Sequence, residues 1–388
     1  MNLTKNIEFK NFKSTNSKKK IQKFFTELIN ENNYILNSLR KSYKDSFHKS
    51  DITKYKKYPN IVIIGIGGSI LGAKTIYSFL KNKLKKKLFF VDNFKNDNLI
   101  DVVNKKKLNV IVSKSGNTLE TITNANILIN KKDENIIITE NKNSYLRSLA
   151  NKIKCEIIDH NNYIGGRYSV LSEVGMVPAE LMGLSSNKFR VYNQLIKNKY
   201  FTNSLINNVS NILSLINKKK SNSIIINYDQ QSSDLFYWYQ QLVAESLGKK
   251  GKGILPIISN MPKDNHSLMQ LYLEGKKNNF FTFFFVKDKS SKKIVNNRIL
   301  SSHSYLKGKN LNDIMYSQYI ASQKVFKKKS IPFRSFFVNE RNEKSLGELF
   351  TFFIFETILL GKALNVNPYD QPAVELIKTS TKKMLINS

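Results

Sequence analysis

Hydroxyl side chains, a glycine and an amide are concentrated in one short run, Ser113–Thr121. It follows the apolar stretch Asn109–Val112 and leads into a segment with helical periodicity. Backbone N–H groups at a helix start, the helix dipole and hydroxyl donors together bind anions, and Gly116 allows the backbone to approach a ligand closely. The run therefore predicts a phosphate site. An ordinary helix cap is the alternative, because Asn117 and Glu120 have the spacing of a capping box.

A second turn of the same kind lies upstream. The β-branched run Ile61–Ile64 is followed by Gly65–Ser69, with the sequence Gly-Ile-Gly-Gly-Ser, and then by the helix-patterned segment Ile70–Leu80. The glycine spacing differs from the dinucleotide fingerprint, and no P-loop lysine follows. Because the carboxyl ends of neighbouring parallel strands share one edge of a sheet, the two turns predict a single site. A small phosphorylated metabolite suits it better than a nucleotide.

Two ionisable residues are candidates for chemistry beside this site. Arg167 is presented by the glycine turn Gly165–Ser169, and its forked, permanent charge suits a phosphate or a developing oxyanion as well as an ordinary salt bridge. Glu245 lies seven residues after Trp238, on the apolar side of the helix-patterned segment Ser233–Leu247. A carboxylate on such a face is costly unless it is paired. Glu245 is therefore either a general base or a paired structural glutamate.

His266 and Lys378 are further candidates. His266 lies in a predicted loop and could act as an acid or base. Gln371 and Lys378 are seven residues apart in the predicted last helix and could share a face, although cap and surface roles fit them too. The four histidines lack metal-ligand spacing, and Cys155 is the single cysteine. We therefore predict no metal site and no intrachain disulfide.

Composition bounds the class of protein. The 388 residues, 41% of them apolar, suffice for two medium globular domains. No apolar run is long enough to span a bilayer and Met1–Lys20 has no signal-peptide core, so we expect a cytoplasmic protein without a membrane partner. The formal charge of +34 is typical of nucleic-acid binders. The lysines, however, are spread in short surface-like runs, so we predict no nucleic-acid partner and a field that attracts an anionic substrate.

The pattern of apolar runs predicts the organisation of the chain. Residues 1–50 have the composition of a helical N-terminal extension. Apolar runs then alternate with helix-length segments, which predicts an α/β fold with parallel sheets. The predicted strands are Ile61–Ile64, Leu88–Val91, Val110–Val112, Ile136–Ile138, Glu156–Ile158, Ser223–Asn227, Phe280–Val286 and Ile331–Val338, with late helices at Ser345–Leu364 and Ala373–Leu385. We predict two lobes, at 51–190 and 191–388, without a convincing residue-level repeat between them.

Taken as a set, the motifs resemble the phosphoglucose isomerase family. The resemblance runs collinearly from Ile61 to Lys378 through six motifs, at 65–69, 113–121, 165–169, 241–246, 264–267 and 370–376. It implies two sugar-isomerase (SIS-type) lobes, each a parallel sheet flanked by helices. It also implies the reversible isomerisation of glucose 6-phosphate and fructose 6-phosphate in glycolysis and gluconeogenesis, with no metal or organic cofactor.

The resemblance assigns roles to individual residues. Glu245 would move a proton between C2 and C1 through a cis-enediol, and Arg167 would stabilise the enediolate. His266 and Lys378 would assist opening of the sugar ring. The implied substrate-binding residues are Gly68, Ser69, Ser113, Ser115, Thr118 and Gln371.

The resemblance also implies a homodimer, because the family's histidine reaches the site from the neighbouring subunit. Three positions depart from the family pattern. Asn117 replaces a hydroxyl, while Ala373 and Ile377 replace glycines and bear on how the last helix seats Lys378. Two alternatives are an enzyme that also accepts mannose 6-phosphate and a non-catalytic sugar-phosphate sensor. Glu245 and Arg167 argue against the sensor, because binding a phosphate requires neither.

Overall fold

The computed structural model describes residues 2–13, 18–94, 106–130, 132–288 and 290–387. Within these ranges the chain forms two α/β lobes, each built on a five-stranded sheet flanked by helices. The predicted α/β class with parallel sheets is therefore confirmed. None of the helices in the described ranges combines the length and apolar character that crossing a bilayer requires.

The strands of both sheets follow the apolar runs of the sequence closely. They are β1 (Ile7–Lys10), β2 (Asn60–Ile64), β3 (Lys87–Val91), β4 (Leu108–Val112), β5 (Glu134–Glu140), β6 (Glu156–His160), β7 (Asn222–Asn227), β8 (Leu255–Asn260), β9 (Asn279–Val286) and β10 (Phe333–Val338). The first sheet has the order β3-β2-β4-β5-β6, with all pairs parallel. The second has the order β1-β10-β9-β7-β8, in which only β1 is antiparallel.

Helices cover the faces of the sheets and connect the lobes. The α-helices are Lys19–Asn30, Tyr34–Ser38, Lys49–Thr53, Leu71–Leu80, Leu119–Leu128, Tyr145–Ile153, Glu173–Leu181, Ser186–Phe189, Tyr192–Lys197, Lys199–Asn217, Ser233–Leu247, Lys263–Ser267, Met269–Glu274, Leu311–Lys328, Glu343–Ala363 and Val374–Asn387. Short 3-10 helices occupy Lys54–Lys57, Gly67–Ser69, Lys81–Lys83, Gly166–Leu171, Gln230–Ser232, Asn296–Arg298 and Ser301–Leu306.

Two strands were not predicted from the sequence. Strand β1 lies within the segment predicted as a helical extension and pairs with β10, so the N-terminus contributes to the second sheet. Strand β8 is an edge strand that contains Pro256 and exposes Leu255. An edge position tolerates a proline because one side of the strand needs no ladder donor. The predicted domain boundaries at 51–190 and 191–388 remain a prediction.

The two lobes begin with the same structural unit. In each, a strand runs into a 3-10 turn and then a helix, which is β2 to Leu71–Leu80 in the first lobe and β7 to Ser233–Leu247 in the second. These two helices pack against each other, and the Thr75 hydroxyl donates to the Asp234 carbonyl at 2.9 Å. The carboxyl ends of β2 and β7 therefore lie at the junction of the lobes.

A buried ion pair ties the second sheet to the long central helix. Arg334 on β10 and Glu356 on the helix Glu343–Ala363 are both completely buried and form an ion pair. Tyr239 donates to Glu356 at 2.8 Å, and Arg334 donates to Asn208 and Thr282, each at 2.9 Å. Because burying a charge is costly, the pair is tolerable only with this full set of partners.

We predict that Glu356→Leu destabilises the protein by about 3 to 5 kcal/mol, because it leaves the Arg334 charge buried and without its carboxylate. The matched double variant Arg334→Met/Glu356→Leu should be more stable than the single variant, since it removes both charges. Urea unfolding of the three proteins measures the difference. A single variant at least as stable as the double variant would contradict the prediction.

Candidate active site

Two glycine turns predicted from the sequence touch each other at the junction of the lobes. They are Gly65–Ser69 and the arginine turn Gly165–Ser169. A side chain on Gly68 would lie 2.2 Å from the Gly166 carbonyl carbon and 2.5 Å from the Arg167 nitrogen. Gly65, at the end of β2, packs in the same way against the carbonyl of Val112, the residue before Ser113. Direct backbone contact thus brings the first turn against both the arginine turn and the end of β4.

Arg167 is buried and uses all five of its N–H groups. Its Nε donates to Ser246 at 2.8 Å, and its Nη2 donates to the Pro368 and Asp370 carbonyls at 2.8 and 3.0 Å. Its Nη1 donates to Glu245 Oε2 at 3.1 Å and to Gln371 Oε1 at 2.5 Å. The guanidinium therefore joins three segments that are distant in the sequence.

Glu245 is held from two sides on the helix Ser233–Leu247. Gln241, one turn earlier, donates its amide to Glu245 Oε1 at 2.8 Å while Arg167 binds the other oxygen. The Glu245 side chain keeps 29% of its surface exposed, so a substrate can reach it. Trp238, two turns earlier on the same helix, donates to the Arg167 carbonyl at 3.1 Å. The ion pair with Arg167 explains how a carboxylate is tolerated on a mainly buried helix face.

Gln241 belongs to the predicted site motif, but sequence reasoning gave it no role. Its Oε1 is buried without a hydrogen-bond partner among the described residues, and its Nε2 lies where a side chain on Gly67 would be, at 2.8 Å. Gly67 has a φ of +55°, a conformation that glycine adopts at low cost. A neutral amide four residues before an acid was the available signal, because that spacing places both on one helix face.

The hydroxyl turn lies at the carboxyl end of β4, as predicted. Ser113 is buried with its hydroxyl 2.8 Å from that of Thr118, and Ser115 accepts a hydrogen bond from the Asn117 nitrogen at 3.2 Å. Gly116 has a φ of +66°, and a side chain there would lie 2.2 Å from Ser144 Oγ. The Ser69 hydroxyl in the neighbouring turn has no hydrogen-bond partner among the described residues.

The capping-box alternative for this turn is wrong. The N-cap of the helix Leu119–Leu128 is Thr118, and no side chain caps the helix. The Asn117 side chain instead accepts a hydrogen bond at 2.9 Å from the backbone nitrogen of Tyr145, which is distant in the sequence. An uncapped helix start beside three hydroxyls leaves N–H donors for an anion.

A cleft of about 540 Å³ opens beside Glu245. It lies between the helix Leu71–Leu80 and the helix Ser233–Leu247, and Lys74, Tyr237 and Gln241 are among its lining residues. A cavity of this size accommodates a small metabolite or an inserted side chain. The partly exposed carboxylate therefore faces accessible space.

The structure does not bring His266 and Lys378 to this group. His266 lies on the one-turn helix Lys263–Ser267, not in the predicted loop, and its exposed side chain has no hydrogen-bond partner among the described residues. Lys378 is exposed on the helix Val374–Asn387 and pairs with Glu375 at 2.7 Å. Gln371 precedes this helix, so the predicted shared face with Lys378 is wrong.

Burial and ion pairing shift the pKa values of groups around Arg167. Complete burial raises the pKa of Tyr168, whose hydroxyl donates to the Pro368 carbonyl at 3.0 Å. The hydrogen bond from Lys249 lowers the pKa of Asp370. Both groups lie beside the Pro368–Gln371 segment that binds the guanidinium. The surroundings of Arg167 thus carry a neutral phenol and an ionised carboxylate.

Comparison with known proteins identifies the family of this arrangement. Residues 10–387 match the family described as phosphoglucose isomerase. The glucose-6-phosphate isomerase of Methanocaldococcus jannaschii is 32% identical over 359 residues, which cover 86% of this chain and 86% of that protein. Both matches include the segments that carry Arg167 and Glu245.

Two solved structures are similar in fold. A hypothetical protein from Thermus thermophilus has a TM-score of 0.82 at 23% identity, covering 95% of this chain and 94% of that one. A glucose-6-phosphate isomerase from Chlamydia trachomatis has a TM-score of 0.70 at 19% identity, covering 91% of this chain and 78% of that one. Together with the two mainly parallel sheets, these likenesses confirm the predicted fold of two lobes, each a sheet flanked by helices.

We predict that Gly68→Ala destabilises the protein by about 1 to 3 kcal/mol, because a methyl group there overlaps the Gly166–Arg167 peptide. Gly165→Ala is the matched control in the facing turn, since its new methyl group would lie 3.8 Å from the Tyr168 ring. Thermal unfolding of both variants measures the difference. Equal melting temperatures for the two variants would contradict the proposed steric constraint.

Proposed function

Because the chain belongs to the phosphoglucose isomerase family, we propose that it interconverts glucose 6-phosphate and fructose 6-phosphate through a cis-enediol intermediate. The protein is an isomerase of that family, and the substrates, the intermediate and the residue roles form the proposal. The observation that carries it is the contact of Arg167 with Glu245 and Gln371 beside an open cleft. We further propose that the reaction is a cytoplasmic step of glycolysis and gluconeogenesis.

The proposed base is Glu245. In the open-chain aldose, its carboxylate removes the proton on C2. The C–H electrons form the C1–C2 double bond, and the π electrons of the C1 carbonyl move onto O1. Transfer of the O2 proton to O1 leaves the enediolate charge on O2, which becomes the C2 carbonyl oxygen as C1 is protonated. Returning the proton to C1 gives the ketose, so Glu245 ends the cycle ionised. Gln241 and Arg167 support this role because they fix both carboxylate oxygens, and a positioned proton carrier needs a fixed geometry.

Arg167 is the proposed partner of the negative charge that develops on the enediolate oxygen. A guanidinium already fixed in place stabilises such a charge without reorganisation during the reaction. Gln371, bound to the same nitrogen at 2.5 Å, is a proposed substrate contact, together with Gly68 and Ser69. These residues line one junction of backbone turns, which supports their joint assignment.

The sugar phosphate is proposed to bind Ser113, Ser115 and Thr118. The support is the uncapped start of the helix Leu119–Leu128, where N–H donors and the helix dipole favour an anion. The positive net charge of the chain would accelerate encounter with the phosphate. In this proposal the first lobe binds the phosphate, and the second lobe carries the base that transfers the proton.

A homodimer is part of the proposal. His266 and Lys378, the residues proposed to open the sugar ring, are exposed and make no contact with Glu245 within one chain. The helix that carries Lys378 exposes Leu376, Ile377 and Leu385, and apolar surface of this kind favours contact with another chain. A second copy would supply His266 to the cleft beside Glu245.

For the phosphate turn, we predict that Ser115→Ala/Thr118→Ala raises KM more than it lowers kcat, because the phosphate is held equally in the ground and transition states. The matched control is Ser148→Ala, an exposed serine on the same lobe outside the turn. Steady-state kinetics with glucose 6-phosphate measure both parameters. An unchanged KM in the double variant would move the phosphate to another site.

For the base, we predict that Glu245→Gln lowers kcat by about a hundredfold to ten-thousandfold, the range for a positioned proton carrier. The amide keeps the size of the side chain, so substrate binding and the melting temperature should change little. Recovering glucose 6-phosphate from D₂O and examining it by proton NMR adds an independent measurement. Deuterium should enter C2 with the wild type and not with the variant.

The control for this experiment is Glu274→Gln, which alters an exposed carboxylate of the same lobe. It should leave kcat and deuterium incorporation unchanged. Near wild-type kcat in Glu245→Gln would exclude Glu245 as the base and make His266 the next candidate. Parallel assays with mannose 6-phosphate determine whether that sugar is a second substrate.

A further inference from the structure

Lys249 joins the helix that carries Glu245 to the segment that carries Gln371. It lies in the turn after the helix Ser233–Leu247, and only 12% of its side chain is exposed. Its ammonium group donates to the Asn367 carbonyl, to the Asp370 carbonyl at 2.6 Å and to Asp370 Oδ1 at 2.9 Å. A lysine has three N–H donors, so all of them are used.

This full set of partners determines what Lys249 can do. A cation that bound the substrate phosphate would need a free donor, and Lys249 has none among its three. Its acceptors belong to the segment Asn367–Gln371, which has no cationic residue of its own. The Asp370 carbonyl also accepts from Arg167 at 3.0 Å, so two positive groups from different lobes bind one peptide oxygen.

We propose that Lys249 is a positioning residue for the isomerisation, an inference that rests on the proposed function. By fixing Asn367 and Asp370, it keeps Gln371 against the guanidinium of Arg167, and thereby sets the direction in which that guanidinium meets Glu245. Lys249 acts through these residues and does not touch the substrate. The clasp is the contact of Lys249 with Asn367 and Asp370.

The clasp compensates for weak local order in the segment it holds. Between the helix Glu343–Ala363 and the helix Val374–Asn387 the chain has no regular secondary structure, so few backbone hydrogen bonds fix Gln371. Without Lys249, the Asp370 carbonyl next to Gln371 would keep Arg167 as its one side-chain donor among the described residues, whereas the Pro368 carbonyl accepts from both Arg167 and Tyr168. The amide of Gln371 would then lose its fixed position relative to Glu245.

The adjacent lysine provides a matched control. Lys250 is exposed and forms no hydrogen bond or ion pair through its side chain with the described residues. It lies in the same turn and carries the same charge. Lys250→Met therefore removes one positive charge near the site without touching the clasp, which separates positioning from a general effect of charge on substrate attraction.

The test compares Lys249→Met, Lys249→Arg and Lys250→Met in the full chain. We expect Lys249→Met to lower kcat by about tenfold to a hundredfold, because misplacing a positioning group by about 1 Å has an effect of that size. KM should change by less than about threefold, since the phosphate turn is untouched. Lys250→Met should match the wild type in kcat, and Lys249→Arg should recover most of the loss because arginine can donate to the same acceptors.

Amide hydrogen exchange on the substrate-free proteins tests the clasp without relying on activity. Residues 366–372 should exchange faster in Lys249→Met than in the wild type or in Lys250→Met. Unchanged exchange, equal kcat in the two methionine variants, or a rise in KM alone would each overturn the proposal. If the wild type lacked isomerase activity, the proposed function would fail, while the exchange data would still decide whether the clasp exists.

A folding defect in Lys249→Met is distinguished by thermal unfolding. In that case Asp370→Asn is the second variant, because it weakens one of the three contacts and leaves both carbonyl acceptors. Asp370→Asn should lower kcat by less than the roughly tenfold to hundredfold loss expected for Lys249→Met. Its KM should again stay nearly constant. Wild-type kcat in a folded Asp370→Asn with wild-type exchange at residues 366–372 would count against the clasp.

Discussion

The guanidinium of Arg167 is the interaction on which the arrangement of the site depends. A buried charge is stable only when every donor has an acceptor, and here the acceptors come from the helix Ser233–Leu247 and from the segment Pro368–Gln371. Arg167 itself belongs to the first lobe. Satisfying one side chain therefore requires the two lobes and the C-terminal segment to take fixed positions. The close backbone contact between Gly68 and Gly166 also restricts the position of the Arg167 turn, by steric exclusion.

The N–H groups of Arg167 differ in how easily a substrate oxygen can displace the acceptors that they bind. Nε and Nη2 bind Ser246 and two backbone carbonyls, which are fixed by the fold, whereas Nη1 binds the side chains of Glu245 and Gln371. An oxyanion formed on a substrate can therefore approach the guanidinium most easily at Nη1, by displacing a side chain rather than the backbone. That exchange would release one Glu245 oxygen while Gln241 still holds the other. The same contact can thus keep the free site ordered and respond to a developing charge.

The sequence predicted those parts of the protein in which local pattern and tertiary structure agree. Most central strands are buried on both faces, so they appear as continuous apolar runs, as in Ile61–Ile64. Strand β1 depends on pairing with β10, more than 300 residues away in the sequence, and nothing local indicates that partner. The capping box at Asn117 was wrong because Tyr145 offered a donor from another helix. In the sequence, Lys249 looks like many other lysines in turns. Only its contacts with Asn367 and Asp370 in the folded chain distinguish it from them.

The two lobes share an architecture but carry different residues at their strand ends, which explains why no repeat was visible in the sequence. In each sheet the strand order reverses at one point, between β2 and β4 in the first and between β7 and β9 in the second, where open α/β sheets bind ligands. The helix after β4 has no side-chain cap, while the helix Leu311–Lys328, which follows β9, is closed by the capping box of Asn310 and Asp313. After β7, Asp229 pairs with Arg341 at 2.7 Å. The second lobe satisfies its own polar ends and contributes Glu245 instead, so equivalent places in the two sheets carry residues with different tasks.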